Sequence, residues 1–219
     1  MIEASDPDPV SKFQDPAYRL ICVDPSHAHR FEVSVVRTDV DRREVYRIRH
    51  GAYCGEGNPL PAQPDGLERD EYDSDAIHVL ARLDGVAIGT VRTTYSHDGR
   101  FLIETFVENG VPVIKIPPEL PREHAAEPSR LAIDKPSVPP CVYTPFITVA
   151  LHHRNYVIGR ASGIQYWVME PNARNLRTMV RLGWRMHSIG SFEHHGQKFE
   201  AVWMPLHPSH FGWELDVRL

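Results

Sequence analysis

The chain has 219 residues, 42% of them hydrophobic, enough for one α/β domain with a sizeable core. Twenty-four Lys and Arg against 29 Asp and Glu leave a net charge of −5, so bulk charge argues against a nucleic-acid partner. Cys22, Cys54 and Cys141 show neither C-x-x-C spacing nor a disulfide framework, and no apolar run approaches the roughly 20 residues of a transmembrane segment. The acidic start MIEASDPDPV lacks the apolar run of a secretory signal, so the sequence reads as soluble and cytoplasmic.

Residues 1–17, rich in Asp and Pro, predict an irregular arm, and 18–219 a single domain without internal repeats. Tyr18–Val23 and Phe31–Val36 have strand character. Thr38 offers an N-cap and Asp39 and Asp41 early acids, which predicts a helix to about Tyr53 with Val45, Ile48 and Ala52 inward. Arg49 lies beside that inward face, either snorkelling to the surface or held inside. A Gly- and Pro-punctuated loop covers Gly55–Gly66. An acidic cluster follows, Glu68, Asp70, Glu71 and Asp73, and then two apolar runs, Ile77–Leu83 and Val86–Val91. Asp84-Gly85 joins them, a pair that tolerates the positive φ of a type I′ hairpin turn.

Gly110–Pro128 reads as a second irregular segment, and Leu131–Ile133 as a strand with Glu127 and Arg130 flanking its start. Thr144-Pro145 opens a helix to about Ala161, since a proline in the first turn wastes no donor. Ile164–Met169 reads as a strand. Asn172 caps a third helix through Leu182, with Gly183 beyond its end, and Phe199–Leu206 closes as the last strand. This order predicts an α/β fold, a mixed twisted sheet with helices on both faces.

Arg92 and Arg130 with several carboxylates at strand ends are costly to bury unless they pair, which marks a candidate site. Glu127 is either a loop carboxylate or a general base, and Asp70 and Asp73 either a solvated loop or partners of Arg49 and Arg92. Tyr53 is either a core aromatic or a cleft wall. Thirteen histidines include the adjacent pairs His152-His153 and His194-His195 and His27-x-His29, none with a metal-binding trio at suitable spacing, so they read as surface histidines and no metal is expected. Cys141 precedes a helix start, where a thiolate is favoured, yet spacing suggests no His or Asp partner for it.

Arg49 with Tyr53, the D-x-Y-D of Asp70 and Asp73, Arg92, and the E-x-S-R of Glu127–Arg130 fall in the order of one known group. The chain resembles the LuxI-type acyl-homoserine-lactone autoinducer synthases and the FeeM-like N-acyl amino acid synthases, two branches of the GNAT acyltransferase fold. The stretch MEPNARNLRTMVRLGW is similar to the GNAT ending of strand, Asn-capped helix and Leu-Gly-aromatic exit.

The resemblance implies an N-acyltransferase with Glu127 as base and Arg130 and Arg92 beside it. It further implies Arg49, Tyr53, Asp70, Asp73, Ser129 and Phe106 around the substrates. Many GNAT enzymes follow the central strand with a Gly-rich turn that cradles the coenzyme A pyrophosphate. Here DKPSVPPCVYTPFITV follows, without glycine. The expected donor is therefore acyl-carrier protein, with acyl-CoA as the other thioester and no bound cofactor. An acidic carrier needs a local basic patch, for which Arg154, Arg160, Arg174, Arg177 and Arg181 are candidates. The first helix is not followed by the tryptophan usual in autoinducer synthases, so an amino acid is the expected acceptor. A homoserine-lactone synthase using S-adenosylmethionine and a non-catalytic acyl-binding domain are the alternatives.

Overall fold

The computed structural model describes residues 18–24, 27–56, 60–96, 100–108, 111–194 and 196–207; the expected arm 1–17 lies outside them. Its strands are β1 (Tyr18–Asp24), β2 (His27–Val35), β3 (Ile77–Leu83), β4 (Val86–Tyr95), β5 (Val107–Glu108), β6 (Val111–Pro112), β7 (Ala125–Ile133), β8 (Tyr166–Met169), β9 (His187–His194) and β10 (Gln197–Pro205). Its α-helices are α1 (Asp39–Tyr53), α2 (Thr144–Ala161) and α3 (Ala173–Arg181). Eight strands form one sheet in the order β1-β2-β3-β4-β7-β8-β10-β9, and β5 and β6 pair separately. Every neighbour in the large sheet is antiparallel except β7 and β8.

Local chemistry fixes the elements much as expected. Thr38 accepts from the Asp41 amide at the start of α1, and Asn172 accepts from Arg174 and Asn175 at the start of α3. Asp84 (φ 51°) and Gly85 (φ 84°) make the left-handed turn between β3 and β4. β3 is buried on both sides, so its alternation sorts residues between two cores. Val79 and Ala81 pack with Ile147, Leu151 and Ile158 of α2, whereas Leu80 packs with Val45 and Ile48 of α1. The two helices therefore cover opposite faces.

Three expectations need correcting. β7 begins at Ala125, so Glu127 and Arg130 lie within the strand instead of flanking it. Pro128 hides this in the sequence, because proline usually marks an irregular segment. β9 has no counterpart among the expected strands: its run HSIGSFEH is polar and mostly exposed at a sheet edge. The last strand runs Gln197–Pro205, pairing along most of its length with β9.

Both edges of β7 are irregular. Thr90 pairs with Ala132 and Arg92 with Ser129, so one residue of β4 opposes two of β7, a bulge at Arg130 and Leu131. Arg130 takes φ 52° there, a left-handed conformation that costs a side-chain-bearing residue energy. On its other edge β7 meets β8 only at Ala125–Tyr166 and Ala126–Trp167, and the strands part from Glu127 onward.

Candidate active site

Alternation places Arg92 and Thr94 of β4 on one face with their partners Ser129 and Glu127 of β7. It is the face covered by α1, because Arg92 also pairs with His78, two residues from Leu80. From α1, Arg49 enters that face with no exposed surface, which settles its two possible placements in favour of the interior.

Arg49 donates from Nη1 and Nη2 to Asp73 at 2.6 and 3.1 Å, and from Nε to Glu68. Arg92, equally buried, donates from Nη1 to Asp70 and to Asp73 (3.0 Å), and from Nε to Ser129 Oγ at 3.1 Å. Arg130 donates from Nε to Glu68 at 3.2 Å and from Nη2 to Asp70 at 2.9 Å, an aim the bulge makes possible. Three guanidinium groups thus share three carboxylates, and the charges balance. Each cation also stacks on a tyrosine: Arg49 on Tyr46, Arg92 on Tyr72, and Arg130 on Tyr53, at 5.5 to 5.9 Å from the ring centres. Glu68 belongs to the acidic cluster of the sequence but is not an expected partner of the arginines; its 3% exposure makes it as integral as Asp73.

Burial alone would push the Asp73 carboxyl up. The hydrogen bonds and charge of Arg49, with Arg92 beside it, outweigh burial and hold its pKa near 2. Burial likewise opposes the Arg49 charge, but Asp73 and Glu68 raise its pKa above the ordinary value. Burial drives His78, next to Asp73, down to about 4, so it is neutral at pH 7. Tyr53 donates to the Leu131 carbonyl at 2.5 Å, and burial lifts its pKa to about 12. Arg92 Nη2 is buried with no hydrogen-bond partner among the described residues.

Glu127 is wholly buried at the point where β7 and β8 part. Its Oε1 accepts the Ile103 amide at 3.0 Å, and Leu102 contributes a second N–H, both from the 3₁₀ turn Leu102–Thr105. Its carboxyl meets that of Glu170, the residue that follows β8. Burial, then the Glu170 charge and the hydrogen bond between them, push the Glu127 carboxyl well above its ordinary pKa. Burial also raises Glu170, against the donated bond from Glu127 and the charges of Arg130 and Arg92. Glu170 is not among the residues expected from sequence. Its signal is the alternation Val168, Glu170, which puts a carboxylate on the α1 face directly after a buried strand.

Beyond Glu127 the same face becomes apolar. Phe101, Ile103, Ile114, Ile116, Leu120, Val168 and Phe192 form a core cluster, against which Phe106 packs. The Phe106 ring stacks on Phe192 at 4.9 Å and meets His194 edge-on, apart from the arginines.

Other candidates lie elsewhere. Arg154 is 3% exposed, which removes it as a surface docking residue, whereas Arg160, Arg174, Arg177 and Arg181 are exposed. His152 is not a surface histidine: it is buried, with Nδ1 2.8 Å from the Thr148 carbonyl oxygen and its ring against Trp167 and Trp184. Cys141 Sγ lies 3.8 Å from His29 Nε2, and His29 Nδ1 lies 2.7 Å from Asp84, neighbours that spacing does not suggest. That group borders the β3–β4 turn and a surface hollow of about 380 Å³ at Arg30, Glu32, Asp84 and Gly85. It stands about 20 Å along β4 from Arg92, since a strand rises about 3.3 Å per residue.

The chain is similar in fold to the acyl-homoserine-lactone synthase LasI (18% identity, TM-score 0.64, 83% of this chain and 92% of that one). It is similar to MesI, a CoA-dependent acyl-homoserine lactone synthase (20%, 0.61, 82% and 91%). It is also similar to FeeM, an N-acyl amino acid synthase from uncultured soil microbes (16%, 0.58, 81% and 91%). No curated protein matches by sequence. A putative N-acetyltransferase from Lactobacillus plantarum shares the fold more distantly (13%, 0.55, 80% and 98%), and the architecture is the GNAT one. The sequence model of the N-acyl amino acid synthase FeeM matches residues 44–206, from within α1 to the end of β10 and including every residue of the charged network, and the chain belongs to that acyltransferase family.

Proposed function

We propose that this chain moves a fatty acyl group from a carrier-protein thioester to the amine of an amino acid, as one domain spanning 18–219. The observation that carries the reading is the order of environments along the α1 face. The arginine–carboxylate network comes first, then Glu127 and Glu170 at the parting of β7 and β8, then the apolar cluster around Phe106. A polar amino acid fits one side and an acyl chain the other. Arg92 has an unpartnered N–H group for a substrate carboxylate, and Asp70, Asp73, Arg49, Arg130 and Ser129 fix its direction. Tyr53 walls the same side.

In the reaction the acceptor ammonium loses a proton and its nitrogen attacks the thioester carbonyl. The C–N bond forms, the nitrogen gives up a second proton, the C–S bond breaks, and the thiolate is released and protonated. Backbone N–H groups on the unpaired edge of β7 are suited to the oxyanion. The carrier reading rests on the segment between β7 and α2, which lacks the glycines of a pyrophosphate-cradling turn, and on the exposed arginines of α2 and α3. Amino-acid acceptors are favoured over S-adenosylmethionine because residues 54–76 contain no tryptophan.

The test is direct. Purified protein is incubated with acyl-carrier protein or acyl-CoA and a panel of amino acids, and free thiol and products are read by mass spectrometry. N-acyl amino acids with matching thiol release are expected, with the carrier thioester the better donor. Homoserine-lactone products from S-adenosylmethionine, or ligand binding without thiol release, would replace the reading.

A further inference from the structure

We propose that the proton of the acceptor ammonium is taken by Glu170, and that Glu127, the carboxyl of the E-x-S-R segment, serves as the hydrogen-bond donor that holds Glu170 in place. This rests on the acyltransfer reading and assigns its proton path.

The geometry is that of two carboxyls sharing one proton. Glu127 Oε2 and Glu170 Oε2 are both enclosed, and neither has an N–H or O–H donor among the described residues. They are nonetheless in hydrogen-bond contact with one another. Two carboxylate oxygens in contact without a donor repel, so one must carry hydrogen. Surroundings decide which. Glu127 is wholly buried, and its Oε1 is already occupied by the Ile103 amide. Glu170 keeps part of its surface exposed and feels Arg130 of β7 and Arg92 of β4; it also acts on Tyr53 of α1. Cations favour the anion, so the charge settles on Glu170 and the proton on Glu127.

A protonated, enclosed carboxyl is not a base. Glu170 keeps the accepting electron pairs, and its residue is only partly covered. The step balances simply. The N–H bond of the ammonium breaks, the proton joins Glu170, and the nitrogen lone pair attacks the carbonyl carbon. As the C–S bond breaks, a second N–H bond of the attacking nitrogen breaks too; the leaving sulfur takes one of the two protons and the other returns from Glu170 to solvent.

Conservative variants separate the two roles. In Glu127→Gln the amide oxygen can accept from Ile103 while the NH₂ donates to Glu170, reproducing the neutral acid. Glu127→Gln should lower kcat by about tenfold or less and keep the acid limb of the kcat/KM profile in place. Glu127→Leu removes the donor, and the acid limb should move to higher pH. Glu170→Gln keeps the shape but not the base, and kcat should fall by about 10²- to 10⁴-fold with that limb abolished. Equal losses in Glu127→Gln and Glu170→Gln, with melting unchanged, would overturn the assignment and return the base to Glu127. Near-normal turnover in Glu170→Gln would overturn it as well. The shared proton has its own readout: the infrared C=O band of a protonated carboxyl, present in the unsubstituted protein and lost in Glu127→Gln. If the unsubstituted protein transfers no acyl group, the function reading fails and the base role falls with it. The band then still confirms or removes the shared proton.

Discussion

At the scale of single residues, burial without compensation sets the pH response of the molecule. His78 and His152 are held neutral, each with a pKa near 4, mainly by burial. Once unfolded they titrate near 6.5, so the unfolded chain binds more protons below that pH. Stability is therefore full above pH 6.5 and is lost as pH falls toward 4, by up to about 3 kcal/mol per histidine. Asp73, held near 2, adds a further loss as pH falls from about 4 through 2. Glu127 has the opposite sign: its pKa is raised by burial, and the stability it contributes at low pH disappears as pH rises through that raised pKa. Melting temperature should drop between pH 6.5 and 4, and His152→Leu should flatten part of that slope. An unchanged slope in the variant would show that His152 titrates alike in both states. Neither histidine can be assigned from sequence, where His152 looks like half of an exposed pair. The buried arginines are closer to legible, because Arg49 sits on the apolar side of a well-capped helix.

At the scale of elements, the legible part is what local chemistry alone determines. α1, α3 and the β3–β4 hairpin follow from Thr38, Asn172 and Asp84-Gly85, each acting within four residues. The turn gives a clean test. Nothing crowds a side chain at Gly85, so Gly85→Ala adds only the left-handed strain of φ 84°. A loss of about 1–2 kcal/mol is expected, a few degrees in melting temperature, with acyltransfer unaffected. An unchanged melting temperature would mean the turn relaxes. The start of β7, by contrast, is illegible. Its Glu127-Pro128 looks like a loop unless one knows that Thr93 and Thr94 lie alongside and that β8 has already turned away. The Arg130 bulge has no sequence mark at all, since a left-handed arginine is imposed by its partners Glu68 and Asp70.

At the scale of the molecule, surface and interior arginines divide in function. Arg160→Glu places a negative charge on the exposed end of α2 and should raise KM for acyl-carrier protein several-fold while kcat and melting change little. Arg154→Glu acts on a buried residue and should lower stability by the cost of a misplaced interior charge, about 3–5 kcal/mol, read as a lower melting temperature. Equal KM effects with both proteins fully folded would restore Arg154 to the docking surface. The sheet itself has one thin seam. β7 and β8 share two residue pairs, whereas every other neighbour in the large sheet shares at least four. On one face α2 bridges that seam, packing Ile147 and Leu151 against β2, β3 and β4 while His152 meets Trp167 and Trp184. On the α1 face no α-helix crosses it among the described residues. The molecule is thus built like a book bound along α2, its two pages stiff and its opening turned toward Glu127 and Glu170. Backbone pairing across the opening is confined to its Ala125–Ala126 end, where the Gln165 amide also donates to the His124 carbonyl, so the two pages are joined at one end and free of rungs beside Glu127.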